Sequence, residues 1–174
     1  SYSPPKVIKS TNSDGYTLGT GDNVNRSGHN YVSWNWKAAN GTASNSNGSI
    51  TSTVSANTTS GFSIVSYTGN ATSGATLGHG LGVKPAMIIS KNRDEAQNWF
   101  CYHKSLGATK YIRLNITNAS GSATSIWNDT EPTASLFSVG NDTATNGSSD
   151  KMIAYCFAEK KGYSKFGSYT GNGN

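Results

Sequence analysis

Hydrophobic and polar residues alternate along much of this chain in short runs, and Gly, Asn, Ser or Pro closes most of them. A period of two sends successive side chains to opposite faces, as in strands buried on one side. Runs with β-branched or aromatic content predict strands at 15–19, 30–37, 49–54, 62–68, 85–91, 98–103, 109–116, 135–139, 151–158 and 163–169. No stretch sustains an apolar period of 3.6 residues, and only 94–98 reads as a single helical turn. Short, regularly spaced strands predict an all-β chain, an antiparallel β-sandwich of jelly-roll type. The aromatic-rich strands 30–37, 98–103 and 151–158 are its expected stabilising elements.

The pattern also repeats. Tyr16-Thr-Leu-Gly19 matches Phe137-Ser-Val-Gly140, and Tyr31-Val-Ser-Trp-Asn-Trp36 matches Met152-Ile-Ala-Tyr-Cys-Phe157, at one offset of 121 without a gap. Asn25 then falls on Asn146, and large rings occupy 34/155 and 36/157. Residues two apart on a strand share a face, and polar Ser33 and Asn35 take the other, so Trp34 and Trp36 are expected to fill a core. At a second offset, Gly61-Phe-Ser-Ile-Val-Ser-Tyr-Thr-Gly-Asn70 matches Gly162-Tyr-Ser-Lys-Phe-Gly-Ser-Tyr-Thr-Gly-Asn172 with one residue inserted.

These matches divide the chain into four parts. Residues 1–40 read as the end of a preceding module or a strand-donating arm, and 41–60 as a polar linker with an edge strand at 49–54. A complete sandwich module follows at 61–161, and 162–174 reads as the opening strand of a next module. Such a chain carries incomplete sheets at both ends, and open edges recruit strands. The expectation is head-to-tail polymerisation, with a terminal segment of one copy completing the sheet of the next; a heterologous contact of this kind builds filaments. The residues expected to mediate the exchange are Tyr31, Val32, Trp34, Trp36, Tyr163, Phe166 and Tyr169. The rival arrangement is a slice of a longer tandem chain.

Composition sharpens the class. Only 13% of residues are charged and 34% are hydrophobic, so Ser, Thr, Asn and Gly supply the surface. Those residues suit turns and strand edges and disfavour helix interiors. This points to a β protein working outside the cell, at an extracellular or virion surface. The net charge of +5 comes from dispersed cations, with only Lys151, Lys160, Lys161 and Lys165 near one another. A phosphate backbone needs a denser stripe, so nucleic acid is not an expected partner. No run approaches the 18 apolar residues of a membrane span, and residues 1–10 do not read as a leader; an exported chain would have lost its leader or left with a virion.

Several motifs occur in order: Leu77-Gly-His-Gly-Leu-Gly-Val-Lys-Pro-Ala-Met-Ile-Ile-Ser-Lys-Asn-Arg93, Trp99-Phe-Cys-Tyr-His103, Ser125-Ile-Trp-Asn-Asp-Thr-Glu-Pro132, Ala154-Tyr-Cys-Phe-Ala-Glu159 and Gly162–Gly173. Over about residues 16–173 they resemble an uncharacterised domain family of bacteriophage and metagenomic proteins, found in virion and tail-associated structural proteins. The resemblance implies structural or adhesive use and supplies no catalytic residues.

The candidate chemistry is sparse. Gly78-His-Gly-Leu-Gly82 leads into a strand, where a phosphate loop would open a helix; its glycines suit a tight connection in which His79 bonds the loop backbone. Asp129 and Glu131 form a carboxylate pair of the kind glycosidases use, yet they sit in a turn closed by Pro132 and are expected to bond local N–H groups. No enzyme activity, metal or cofactor is expected. Asp14, Asp22, Asp142 and Asp150 lack calcium-loop spacing. The alternative function is carbohydrate binding as a lectin-like adhesin, with Trp127 as the ring platform and Asn128 and Asp129 bonding sugar hydroxyls. Surface glycans are the partner on that reading. Ten Asn-x-Ser/Thr sequons, at Asn25, Asn40, Asn47, Asn57, Asn70, Asn115, Asn118, Asn128, Asn141 and Asn146, fit a polar β surface. Cys101 and Cys156 could pair only on neighbouring strands.

Overall fold

The computed structural model describes residues 7–173, and the chain divides into two compact units, Ser1–Asn35 and Trp36–Asn174. In the first unit, β1 (Ile8–Thr11) and β2 (Tyr16–Leu18) form an antiparallel hairpin, followed by the single turn α1 (Asp22–Asn25).

The second unit is the antiparallel β-sandwich that the alternation predicts. Its strands are β3 (Ala43–Asn45), β4 (Ser52–Asn57), β5 (Phe62–Thr68), β6 (Ala75–Gly78), β7 (Met87–Asn92), β8 (Phe100–His103), β9 (Lys110–Arg113), β10 (Gly121–Ser122), β11 (Leu136–Val139) and β12 (Lys151–Phe157). Two further single turns, α2 (Thr124–Trp127) and α3 (Thr143–Asn146), flank β11. The large sheet has eight strands in the order β10-β9-β8-β7-β12-β5-β4-β3, and β11 pairs with β6 in the other layer. Two meanders, β3-β4-β5 and β7-β8-β9-β10, would be separate ribbons without β12, which bonds antiparallel to β5 on one side and β7 on the other.

The sequence of β12 explains its place. Met152, Ala154 and Cys156 are fully buried on the core face. Across the ladders they meet Tyr67 and Asn92, Val65 and Ser90, and Ser63 and Ile88. The bulky row Tyr67–Met152–Asn92 thus lies beside the smaller row Val65–Ala154–Ser90, which leaves room for its large side chains in a close-packed layer. The opposing wall of the core comes from Leu77, Phe137, Val139, Ile126 and Trp127, which belong to the same apolar cluster. On the outer face, Tyr155 stacks on Trp99 with ring centroids 6.4 Å apart, and Phe157 lies 4.9 Å from Phe62.

Several expectations need correction. Residues 41–60 are not a linker, because β3 and β4 within them extend the large sheet beside β5. The strand expected at 49–54 lies at Ser52–Asn57, with Ile50 making an isolated parallel bridge to Leu77. Residues 94–98 form no helical turn; Asn92 Oδ1 accepts the amides of Asp94 and Glu95 at 2.9 and 3.0 Å and folds the chain into a bend. The segments 30–37 and 165–169 join no ladder, despite their strand-like sequences.

Removing Met152 from the middle of the paired row leaves a cavity that neighbouring strands cannot close. Met152→Ala is expected to lower unfolding free energy by about 2–5 kcal/mol, read from urea denaturation; a loss under about 1 kcal/mol would contradict the packing described.

Candidate functional site

The offset-121 repeat exists in three dimensions. α1 spans Asp22–Asn25 and α3 spans Thr143–Asn146, the same positions shifted by 121. Within α1, the amides of Val24 and Asn25 donate to the Gly21 carbonyl, both at 3.0 Å; within α3, those of Thr145 and Asn146 donate to Asp142 at 3.1 and 2.8 Å. Asn25 Nδ2 donates to the Gly19 carbonyl at 3.0 Å, and Asn146 Nδ2 to the Gly140 carbonyl at 2.8 Å. The next turn also recurs, with His29 N on Arg26 O and Asp150 N on Gly147 O. Gly28 and Ser149, equivalent positions, both hold left-handed backbone, at φ 76° and 65°. Ser149 carries a strain that the glycine at 28 avoids.

The two copies diverge in what surrounds them. Asn146 is fully buried, and beyond Gly140 it bonds Asn70 and the Thr72 carbonyl; Asn25 is exposed. Met152, Ala154 and Cys156 are sealed between β5 and β7, whereas their equivalents Tyr31, Ser33 and Asn35 are exposed. Val32 and Trp34 are 75% and 73% exposed. Tyr31 is held locally, its hydroxyl donating to the Asp22 carbonyl at 2.5 Å and accepting from the Arg26 amide at 3.0 Å. Between the β1–β2 hairpin and residues 31–35 lies an open groove of about 380 Å³, lined by Leu18, Val24, Tyr31 and Trp34 among others. Its lining residues Tyr16, Leu18, Val24 and Tyr31 are the repeat equivalents of Phe137, Val139, Thr145 and Met152, all buried in the sandwich. The expectation that Trp34 and Trp36 fill a core is therefore corrected. Trp34 borders the groove, and Trp36 is half exposed while touching Phe62 and Phe157 at 6.3 and 5.5 Å.

The β5-like segment behaves in two parts. Gly61 and Gly162 share a left-handed φ of 72° and 75°. Beyond Gly162 the chain first stays on the sandwich. Lys160 and Ser164 form an isolated bridge, Phe166 N donates to Glu159 Oε1 at 3.0 Å, and the Phe166 ring lies 6.2 Å from Phe157 and 6.4 Å from His103. Tyr163 is 70% exposed and Tyr169 is 95% exposed. Phe166 is thus committed to its own sandwich, while Tyr169 presents its whole ring to solvent.

The proposed sugar platform does not survive. Trp127 is 2% exposed, packed edge-on against Tyr102 at 6.4 Å, so no face is free for stacking. Its burial follows from α2, which turns Ile126 and Trp127 together into the core. Asn128 ends that turn in left-handed backbone and accepts from Ser73 Oγ at 3.1 Å. Asp129 accepts from Thr124 Oγ1 at 2.7 Å. Glu131, expected to bond neighbouring amides, instead reaches far along the chain. It accepts from Tyr102 Oη at 2.6 Å, the Ala108 amide at 2.7 Å and Lys84 Nζ at 2.8 Å. Sequence alone gave no sign of this hub, because its partners lie 23, 29 and 47 residues away. Asp142 caps α3 through the Ala144 amide, and Asp150 accepts from Asn92 Nδ2. Cys101 and Cys156 are free; β7 lies between their strands, and pairing with Ile89 and Ile88 puts them on opposite faces.

His79 bonds the loop backbone, as its glycine setting predicts. Fully buried, it accepts the Leu81 amide at Nδ1 (3.2 Å) and directs Nε2–H to the Thr133 carbonyl at 3.3 Å. Burial lowers its pKa, against a smaller opposing effect of the Thr133 bond. Burial opposes the Glu131 charge too, but hydrogen bonds from Lys84, Tyr102 and Ala108 outweigh it and the carboxyl ends below its ordinary range. As pH falls below about 6.5 the unfolded His79 gains a proton that the folded one refuses, so stability declines. It declines further as pH falls through the carboxylate range, where the Glu131 contacts are lost. The urea midpoint is expected to drop steadily from pH 7 to pH 4, with the His79 ring titrating at lower pH than a free imidazole by NMR; a midpoint flat over that span would contradict both assignments.

No curated protein and no solved structure matches the chain. One family model matches residues 3–174, a span that takes in the N-terminal unit, the sandwich and the Tyr163–Gly173 segment together. The chain belongs to the family described as a domain of unknown function, DUF7483.

Proposed function

We propose that this protein is a non-catalytic structural subunit of an extracellular or virion fibre, polymerising head to tail by β-strand complementation between copies. One observation carries the reading. The N-terminal unit reproduces the β11–α3 region of the sandwich and the turn that follows it, down to individual hydrogen bonds, yet residues 30–36, the sequence equivalent of β12, lack the two neighbouring strands that β12 has. A segment with strand-like sequence, open backbone groups and exposed Val32 and Trp34 favours addition of another strand. The same chain carries a β5-like sequence that contains the exposed Tyr169, so donor and acceptor reside in each copy. Donor and acceptor patches that differ give an open, repeating contact.

The low-charge surface of hydroxyls and amides suits a fibre exposed to water, and placement at a virion or extracellular surface rests on that composition. The carbohydrate-binding alternative loses its main support with the burial of Trp127.

Purified full chain is expected to form linear polymers in negative-stain micrographs, with a sedimentation coefficient that rises with concentration. A single monomer species at every concentration tested would contradict the reading.

A further inference from the structure

Resting on that assembly reading, we propose the register of the exchanged strand. Ser168–Thr170 of one copy lies antiparallel to Asn30–Val32 of a second copy, with the Tyr169 ring in the groove of the N-terminal unit and its hydroxyl donating to the Val24 carbonyl.

The sandwich itself is the template. There β5 pairs with β12 as Thr68 with Lys151, Tyr67 with Met152 and Ser66 with Ile153. Shifting β12 back by 121, and β5 onto its identical Ser-Tyr-Thr-Gly-Asn partner, gives Thr170 with Asn30, Tyr169 with Tyr31 and Ser168 with Val32. The bonds just beyond the ladder transfer in the same way. Gly69 N donates to the Asp150 carbonyl and Ser149 N to the Gly69 carbonyl, both at 2.9 Å. Their counterparts are Gly171 N on the His29 carbonyl and Gly28 N on the Gly171 carbonyl, and Gly28 already holds the required left-handed backbone.

The side chain that fixes the register is the tyrosine. Tyr67 is 5% exposed and its hydroxyl donates to the Thr145 carbonyl in α3 at 2.6 Å. The residue equivalent to Thr145 is Val24, which lines the open groove. Tyr169, the equivalent of Tyr67, is the most exposed large apolar residue of the described chain. A ring in solvent and a groove open to solvent are each unfavourable, and filling one with the other removes apolar surface from water on both sides. The donor begins after Phe166, because that ring and the Phe166 amide are held on the donor's own sandwich. The inserted residue falls in this stretch and gives the strand slack to leave one sandwich for the neighbouring copy.

Cross-linking between two differently tagged single variants, Val32→Cys and Ser168→Cys, tests the register under mild oxidation. Native thiols stay silent, since burial raises Cys156 and pushes Cys101 up to about 11. A disulfide-linked heterodimer is expected. Pairing Val32→Cys with Thr170→Cys, two residues off, should give roughly tenfold less product, because a disulfide tolerates little change in separation. Tyr169→Ala should raise the concentration needed for polymers at least about tenfold, and Tyr169→Phe by only a few-fold. The melting of the isolated subunit should stay unchanged in both. Wild-type polymers without the Val32–Ser168 link, and with Tyr169→Ala assembling normally, would overturn the register while leaving strand exchange standing. A link formed only when both cysteines sit on one chain would overturn the second copy as occupant. Absence of wild-type polymers would overturn the assembly reading itself.

Discussion

The structure depends on one strand being paired on both sides. β12 joins two meanders into a single eight-stranded sheet, and its core-facing Met152, Ala154 and Cys156 occupy the centre of the buried layer. Backbone amides and carbonyls in such a position are satisfied only if both neighbours are present. The segment before β12 is fixed with equal care. α3 is tied down by Asn146, which is fully buried and bonds Gly140, Asn70 and Thr72, and by Asn92, which bonds the Thr143 carbonyl and Asp150. Buried amide side chains of this kind are costly unless satisfied, so they lock β12 into one register.

The N-terminal unit has the same device without its surroundings. Its single turn, its asparagine-to-glycine bond and its left-handed Gly28 all match, so local sequence suffices to build them. What local sequence cannot supply is the pair of flanking strands, and residues 30–36 remain outside any ladder. The proposed assembly follows from that difference. A segment whose sequence is written for a central strand gains most by finding neighbours, and a copy of the β5 sequence is carried in every chain.

The sequence was most legible where apolar alternation and turn glycines agreed. β5 lies at 62–68 as expected because Gly61 and Gly69 bound a run rich in aromatic and β-branched residues. β1, β3, β6 and β10 lie outside the strand-like runs of the sequence; Ala43-Ser-Asn45 and Gly121-Ser122 carry no β-branched or aromatic residue and take strand form only through their partners. Residues 30–37 show the converse, a strand pattern with no partner. A period of two describes the face a neighbour must cover, and it does not say whether the neighbour is there. Beside the polar Asn128-Asp-Thr130, Trp127 reads as surface in the sequence, whereas Ile126 and Trp127 turn inward as a pair on α2. The Glu131 hub lay beyond reading, since its three partners converge only after β8 and the loops around it are folded. The match of Asn25 to Asn146 was the legible part of the site, and the structure gave it physical content.

Hydrogen exchange of the full chain in dilute and concentrated solution tests the central claim most directly, because it reads backbone pairing at residues 30–36 themselves. Strand exchange predicts that amides in this segment exchange freely when dilute and become protected on concentration, while those of Met152–Phe157 are protected throughout. Residues 30–36 exchanging freely at every concentration, in samples where polymers are visible, would contradict it.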